Sequence, residues 1–541
     1  MQSRCFPPRS FLLSLPVLLI LAVASSAAGL VGKVVREDDN TAVAGAEVTV
    51  LGRALTARTD EEGRFTLTPA PTLPFELLVS LPGGRYMKPV LIEAIPDDGI
   101  VIVRVMPVVF ESITVTAGVA PDIQSTPASG MTLLSETEIE VRQPVNLTQA
   151  LENVPGVFTV SEGQASVPAI RGLAQGRSLI LIDGARVSSE RRAGPSATFL
   201  DPFVLEGLQV SRGPGSVAYG SDAFGGVILA RTRRPVPGGP LKMRFMGAAG
   251  AGIPQARTSV EVQKGVTKTG GLLFQAHYRN AEDYTSPEGE VFNSGASDHG
   301  VLGRFEQAST HGLLSVGLQS DFGRDIERPR TNSTKTRFYY PTEDSNRFTA
   351  SYETTPVAGF SQLSLETFFG TNRVVTDKDT FATETTPRSI ERADVDAKDF
   401  SVRATAERPW SDARFEFGLD LNGRFGLEAT DVFIDYDLAG NESSRLELPA
   451  IENANRIDTG LFVSLETGLT DTLSLQGGLR ADRVTSKNQG GYFGDLSTSN
   501  SAFSGHVSMT LGSARGFSFT GQVARGFRDA RISDRYFRGV T

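Results

Sequence analysis

From Pro237 to Thr541 the sequence alternates. About thirteen segments, roughly ten residues each, carry apolar side chains at every second position and polar or charged ones between them. Leu272, Phe274, Ala276 and Tyr278 face one way, while Gln275, His277 and Arg279 face the other. Phe415, Phe417, Leu419 and Leu421 oppose Glu416, Asp420, Asn422 and Arg424, and Leu473, Leu475 and Leu479 oppose Ser474, Gln476, Arg480 and Asp482. A period of two is the geometry of an extended strand, and about ten residues is what a tilted strand needs to cross hydrocarbon. The period does not say where the apolar face points. In a soluble sandwich it faces a core; in a membrane barrel it faces lipid, and the polar face lines a wet lumen. The number of consecutive strands, the lack of helical interruption and the recurrence of charge in strand after strand favour the barrel.

The N-terminus supports an exported chain. Arg4 and Arg9 precede the short apolar run Phe11–Val23, and Ser26-Ala27-Ala28 supplies small residues for cleavage, so residues 1–28 read as a signal peptide. The run is shorter than the roughly 20 residues of a spanning helix, and no later apolar stretch reaches that length. A membrane crossing would therefore use strands, because only helices and closed barrels satisfy every backbone group in lipid. Cys5, the one cysteine, lies before the apolar run, so the mature chain would have neither disulfides nor thiolate-held metal. A formal net charge of −9 gives no general attraction for nucleic acid.

Between leader and alternating region lie three zones. Residues 29–107 are rich in short strands, among them Glu47–Val50, Arg64–Thr68, Phe75–Leu81 and Gly99–Val105, with a tight turn at Asp60-Glu61-Glu62-Gly63; they read as a small β-sandwich. Residues 108–119 contain Phe110–Gly118, whose β-branched alternation can extend and pair, either with another protein or as a last strand of the sandwich. Residues 120–236 mix elements. A short helix is expected within Val145–Gly156, with Asn146 as N-cap and Pro155-Gly156 as its stop, and strands are expected at Ser178–Asp183 and Glu206–Ser211.

The motifs of this last zone are specific. Ile170-Arg171-Gly172, Leu181-Ile182-Asp183-Gly184-Ala185-Arg186-Val187 and Arg212-Gly213-Pro214-Gly215-Ser216, the last continuing through Tyr219-Gly220 to Gly225-Gly226-Val227-Ile228, stand in one order at regular spacing. Together they resemble the plug domain of TonB-dependent outer-membrane receptors. Residues 29–107 resemble the non-catalytic carboxypeptidase-regulatory-like domain. Ile113, Thr114, Val115, Thr116 and Ala117 match the family's TonB box in position and character, and Ala524–Arg528 with Ser533–Gly539 look like a barrel stretch common in the family. The resemblance implies a mainly β fold: an N-terminal β-sandwich, an α/β plug domain and a transmembrane antiparallel β-barrel that is incomplete here, since family barrels have about 22 strands. A half barrel would leave two open sheet edges, which lipid does not tolerate. It further implies a cell outer-membrane location, with the N-terminal domain and TonB box in the periplasm. The implied partners are the TonB protein of the inner-membrane energising complex, outer-membrane lipid and a small-molecule cargo, most often a ferric siderophore in this family; haem, cobalamin and oligosaccharide stay open. One chain per barrel and no cofactor are expected.

Arg212-Gly213-Pro214-Gly215 and Gly225-Gly226 read as tight turns and close backbone approaches that shape the plug rather than touch cargo; Gly172, Asp183, Gly184, Tyr219 and Gly220 complete the plug motif that the resemblance marks. The resemblance implies that Arg171 and Arg212 can pair with wall glutamates, Glu366 and Glu416 being candidates, through modest bonds in a wet lumen. Arg191 and Arg192, in the loop Val187–Pro195, would suit an anionic chelate, or are simply a charged loop. Catalysis finds no support. His277, His299, His311 and His506 show no metal-ligand spacing, and neither a nucleophile elbow nor a phosphate loop is present. The rivals to an importer are a non-transporting surface protein for adhesion or signalling, and a passive porin, which the plug motifs disfavour.

Overall fold

The computed structural model describes residues 29–36, 40–50, 55–81, 85–86, 90–92, 94–96, 99–105, 129–160, 163–174, 176–187, 200–250, 254–329, 332–383, 385–410, 413–470, 472–512 and 518–536. The leader, residues Ile113 to Ala117, Arg191 and Arg192 lie outside them.

The N-terminal strands form two sheets. Arg64–Leu67, Leu30–Arg36 and Ile100–Val105 make one, and the other runs Thr56–Arg58, Glu47–Val50, Phe75–Leu81, Arg85–Tyr86, with Val90–Ile92 also on Phe75–Leu81. Their alternation brings Val34, Val48, Phe65, Leu67, Leu77 and Val103 into one buried cluster. The turn at 60–63 forms because Asp60 Oδ1 accepts from the backbone N–H groups of Glu62 (3.0 Å) and Arg64 (2.7 Å), while Gly63 takes φ +73°.

The plug is built on a five-stranded mixed sheet in the order Ala185–Arg186, Leu179–Ile182, Val227–Thr232, Leu205–Arg212, Gly130–Ser135. Only the central pair, Leu179–Ile182 with Val227–Thr232, is parallel. Both of those strands are buried at every position, which accounts for their unbroken apolar runs. Ile180, Ile182, Leu205, Val210 and Ile228 pack with Leu147 and Leu151. Helix Glu136–Arg142 is started by a capping box between Ser135 and Glu138 and ended by Gln143 at φ +51°. Asn146 caps the next helix, accepting from the Gln149 N–H at 2.9 Å. That helix is only Leu147–Ala150, shorter than the sequence pattern suggests. Beyond it the N–H groups of Leu151 and Glu152 bond three residues back, and Pro155, which has no N–H, with Gly156 at φ +76° closes the run.

The alternating region forms one 13-stranded sheet, each strand antiparallel to the next, from Lys242–Gly250 to Ser518–Arg525. Its faces are inverted relative to a soluble sheet. Phe245 is 70% and Val523 80% exposed, while Gln275 and Glu306 are 0% exposed. Apolar side chains thus point outward and charged ones inward, the arrangement lipid outside and a polar interior require. The strands are longer than the roughly ten residues expected: the longest, Glu442–Thr470, has 29 residues. Hydrocarbon sets only the minimum length, and hydrogen bonding between neighbours carries the ladder beyond it. On one rim the described connections are the two-residue 268–269 and 310–311 and the seven-residue 355–361; on the other they include the fourteen-residue 282–295. Short turns mark the periplasmic rim of such barrels. The sandwich meets the wall on that rim, where Arg58 Nη1 donates to Glu407 Oε2 at 3.2 Å. Among the described residues the sheet is open, with Lys242–Gly250 and Ser518–Arg525 each paired on one side.

Phe274, outward and 52% exposed, tests the inversion. Phe274→Arg is expected to cost about 2–4 kcal/mol near the bilayer midplane, read as a lower folded yield in lipid vesicles by heat-modifiable gel mobility. Unchanged yield would fit a water-facing surface instead.

Candidate functional site

The wall curves around the plug, touching it from the first strand to the twelfth. The seam between them is the candidate site, and it is held mainly by guanidinium groups.

At the first strands, Glu136 and Glu140 lie four residues apart on one face of the helix Glu136–Arg142. They receive plug Arg233, which bonds Glu136 and reaches Glu140 at 2.8 Å, and wall Arg244, 2.8 Å from Glu140. Arg244 also donates to wall Glu261 at 2.9 Å. Wall Arg257 donates to Pro144 O (2.5 Å) and Gln143 Oε1 (3.1 Å) and stacks 3.8 Å over Phe203. Wall Arg279 bonds Val145 O, and plug Arg234 donates to wall Glu306 at 3.4 Å.

The turn Asp183-Gly184 forms the second contact. Asp183 sits at φ +48° and Gly184 at φ +83°. Asp183 accepts from Thr232 N–H (2.9 Å) and Thr232 Oγ1 (2.6 Å) within the plug, and from Arg304 of the wall. Burial alone would raise the Asp183 pKa; the charges of Arg304 and Arg234, with the two Thr232 bonds, outweigh it and hold the carboxyl below its ordinary value. Glu366 faces this turn, and a Cβ added at Gly184 would lie 3.2 Å from Glu366 Oε2. A small cleft separates plug from wall here and is lined by Asp183, Arg186, Tyr219, Arg234, Arg304, Glu366, Arg403 and Asp420.

The third contact is the short helix Ser216–Tyr219. Its last carbonyls have no helical partner. Wall Arg403 takes Ala218 O at 2.7 Å, wall Arg480 reaches Val217 O and Ala218 O at 3.5 Å, and plug Arg186 bonds Tyr219 O. Arg403 lies 5.4 Å over the Tyr219 ring and shares Asp420 with Arg480. Gly220 adopts φ +71° beneath Arg480, where a Cβ would come within 2.9 Å of its guanidinium.

The motif residues divide. Asp183, Gly184, Tyr219 and Gly220 stand at the seam. Gly213 packs on Ser129, Gly225 on Leu173 and Gly226 on Ser211 O and Ile170, all inside the plug; Pro214 lies between Gly213 and the helix Ser216–Tyr219, and Gly172 takes φ +78°. The arginine pairing expected at Arg171 and Arg212 is corrected. Arg212 donates to Thr132 Oγ1 (2.8 Å) and Pro155 O (2.9 Å), so it staples the plug to itself. Arg171 is exposed at φ +51°. Glu416 accepts from wall Ser464 at 3.3 Å. Arg233 and Arg234 of the plug do meet wall carboxylates; Arg233 Nε lies 3.7 Å from Glu261. Their signal was a basic pair directly after the apolar strand Val227–Thr232. Nor are these modest surface pairs: the side chains of Asp183 and Arg304 are 8% and 3% exposed, so each partner depends on the other.

A plug clasped inside a wall that is apolar outward and charged inward is the architecture of a plugged outer-membrane barrel. Residues 122–227 match the TonB-dependent Receptor Plug Domain, and residues 280–540 match the TonB dependent receptor-like, beta-barrel family. The chain belongs to the TonB-dependent outer-membrane receptors. It is 40% identical over 132 residues to the iron-regulated outer membrane virulence protein of Vibrio cholerae, covering 23% of this chain and 20% of that one. Over 125 residues it is 34% identical to the ferric enterobactin receptor PirA of Pseudomonas aeruginosa, covering 20% and 17%, and 32% identical to the vitamin B12 transporter BtuB of Vibrio vulnificus, covering 23% and 20%. In fold it is similar to the copper transporter OprC (TM-score 0.59, 18% identity, 71% of this chain and 61% of that chain). It is also similar to the siderophore receptor PiuA from Acinetobacter baumannii (TM-score 0.58, 14% identity, 76% and 66%). The matches thus span about a fifth of the curated relatives and under two thirds of these solved chains.

Because the Asp183 pKa is lowered, its contribution to plug seating is complete above the unfolded value near about 4 and is lost as pH falls through the lower, folded value. Protease sensitivity of the plug is expected to rise below about pH 4. Asp183→Asn should weaken seating by about 3 kcal/mol at neutral pH and flatten that acid dependence. An acid profile identical to the parent's would assign the effect to another carboxylate.

Proposed function

We propose that this chain is the plug-bearing part of an energy-driven importer that takes scarce extracellular cargo through the outer membrane by moving the plug. The observation that carries this reading is the seam itself: the lumen is occupied by a separately folded unit, joined to the wall by polar bonds and bordered by a cleft. A passive pore has no use for such a unit, and an adhesin has no use for a seam that can part.

The handle is Ile113-Thr114-Val115-Thr116-Ala117. An extended segment of this kind adds to a sheet edge of a partner, here the periplasmic TonB protein, through backbone hydrogen bonds. Support comes from where it leads. The chain from Ala117 runs to Gly130–Ser135, the edge strand of the plug sheet, and then to the helix whose Glu136 and Glu140 anchor the plug to Arg244. A pull on the handle loads these elements first.

A ferric siderophore is the first cargo to test. Relatives named as an iron-regulated outer membrane virulence protein and a ferric enterobactin receptor support it, and the charge of Arg191 and Arg192 would suit an anionic chelate. Haem, cobalamin and oligosaccharide are the alternative cargoes. The reading needs no cofactor and no catalytic residue, and one chain serves each barrel.

Val115→Pro removes a ladder donor from the handle. Cells carrying it are expected to lose energised uptake of a ferric siderophore panel while still binding the cargo. Uptake equal to the parent's would refute the handle assignment.

A further inference from the structure

The stretch Ala524–Arg528 with Ser533–Gly539, read from sequence as a barrel stretch common in the family, falls within the barrel-family match; Ala524 and Arg525 pair in the wall, and the described residues 526–536 leave it. Strand pairing ends at Arg525, and the residues that follow turn into the lumen. Gly526 lies against Ser216 of the plug. Arg528 Nε donates to Gly176 O at 3.0 Å, and the Asp529 N–H donates to Ser221 Oγ at 3.1 Å. These are contacts to two separate plug turns. The far end grips the wall differently. Ile532 and Tyr536 are buried among Val395, Leu427 and Ile451, and Arg456 Nη1 donates to Ala530 O at 3.1 Å. Asp529 joins the two ends. Its carboxylate accepts from Asn500 of the wall at 2.7 Å and from Arg535 at 2.9 Å on both oxygens.

We propose that residues 526–536 are a strap that clamps the seated plug and must release before it moves, with Asp529 as its positioning residue. The basis is the asymmetry of its attachments. The plug end holds by a few polar bonds that can break and re-form, whereas the wall end adds to its polar bonds a buried apolar anchor, Ile532 and Tyr536. When the plug leaves, the strap stays with the wall, ready to clasp it again. This rests on the plug being a movable stopper, but not on any cargo.

A second observation makes the strap testable by cross-linking. A Cβ added at Gly526 would lie 3.4 Å from Ser216 Cβ, near disulfide range. Ser216 Oγ is buried without a hydrogen-bond partner, so replacing it breaks no bond. Cys5 is the chain's one cysteine.

The experiment is force spectroscopy on the full chain in lipid bilayers, pulling from the N-terminal side of the plug without cargo or energising partner. Ser216→Cys/Gly526→Cys is expected to oxidise to a cross-link that stops extraction at residue 215 until reductant is added. Asp529→Ala is expected to release the plug about tenfold faster at constant force, with Asp529→Asn falling between it and the parent. Arg528→Ala, which removes the bond to Gly176 O of the plug and the ion pair to Asp534 within the strap, is expected to act in the same direction and covers the case in which Asp529→Ala does not fold. Failure of the cysteines to cross-link, or release at the parent rate from both alanine variants, would overturn the strap. Neither result bears on import, which the Val115→Pro uptake assay decides separately.

Discussion

A wall one sheet thick in lipid has no choice about where its charge goes. Each strand must offer apolar side chains to hydrocarbon, and the alternate positions, which carry the charge, point into the lumen. Arg257, Arg279, Arg304, Arg403 and Arg480 stand there, each 2% to about a tenth exposed and each needing partners. The plug supplies many of them: the carbonyls of Pro144, Val145 and Ala218 and the carboxylate of Asp183. The same constraint that lets the wall sit in a membrane therefore holds the stopper in place, with bonds that can be exchanged rather than a greasy core that would have to be torn open.

Much of this was legible in the sequence because it is local. The period of two is written strand by strand, and the faces of Leu272–Arg279, Phe415–Arg424 and Leu473–Asp482 are those the structure has. The all-apolar Leu179–Ile182 announces a strand buried on both sides, and the Asn146 cap lies where a helix begins. Strand length was not legible, since nothing in a residue pattern says how far a ladder continues past the hydrocarbon; Glu442–Thr470 runs nearly three times the spanning minimum of about ten residues.

The seam was illegible for a different reason. Asp183 and Arg304 are 121 residues apart, and Ala218 and Arg403 are 185 apart. No local pattern encodes such a pairing, so the motif arginines drew attention that belonged to Arg233, Arg234 and the wall. Arg212 is instructive: its motif is specific, yet its bonds to Thr132 and Pro155 keep the plug in shape rather than in place. Ala524–Arg528 with Ser533–Gly539 was legible as a barrel stretch of the family, but not that the chain turns inward at Gly526 once Arg525 has paired.

The order of strands in the plug sheet has a mechanical consequence. Gly130–Ser135 pairs antiparallel on its one inner side, with Gly130 opposite Arg212. Tension entering at Gly130 opens that ladder rung by rung, so only one bond bears load at a time. The central pair Leu179–Ile182 and Val227–Thr232 is parallel and flanked on both sides, and strain along it would be shared by all its bonds together. The sheet is thus softer at its Gly130 edge, where the proposed handle would pull, than at its middle. A small tug peels one margin and leaves a folded remainder onto which the margin can zip back.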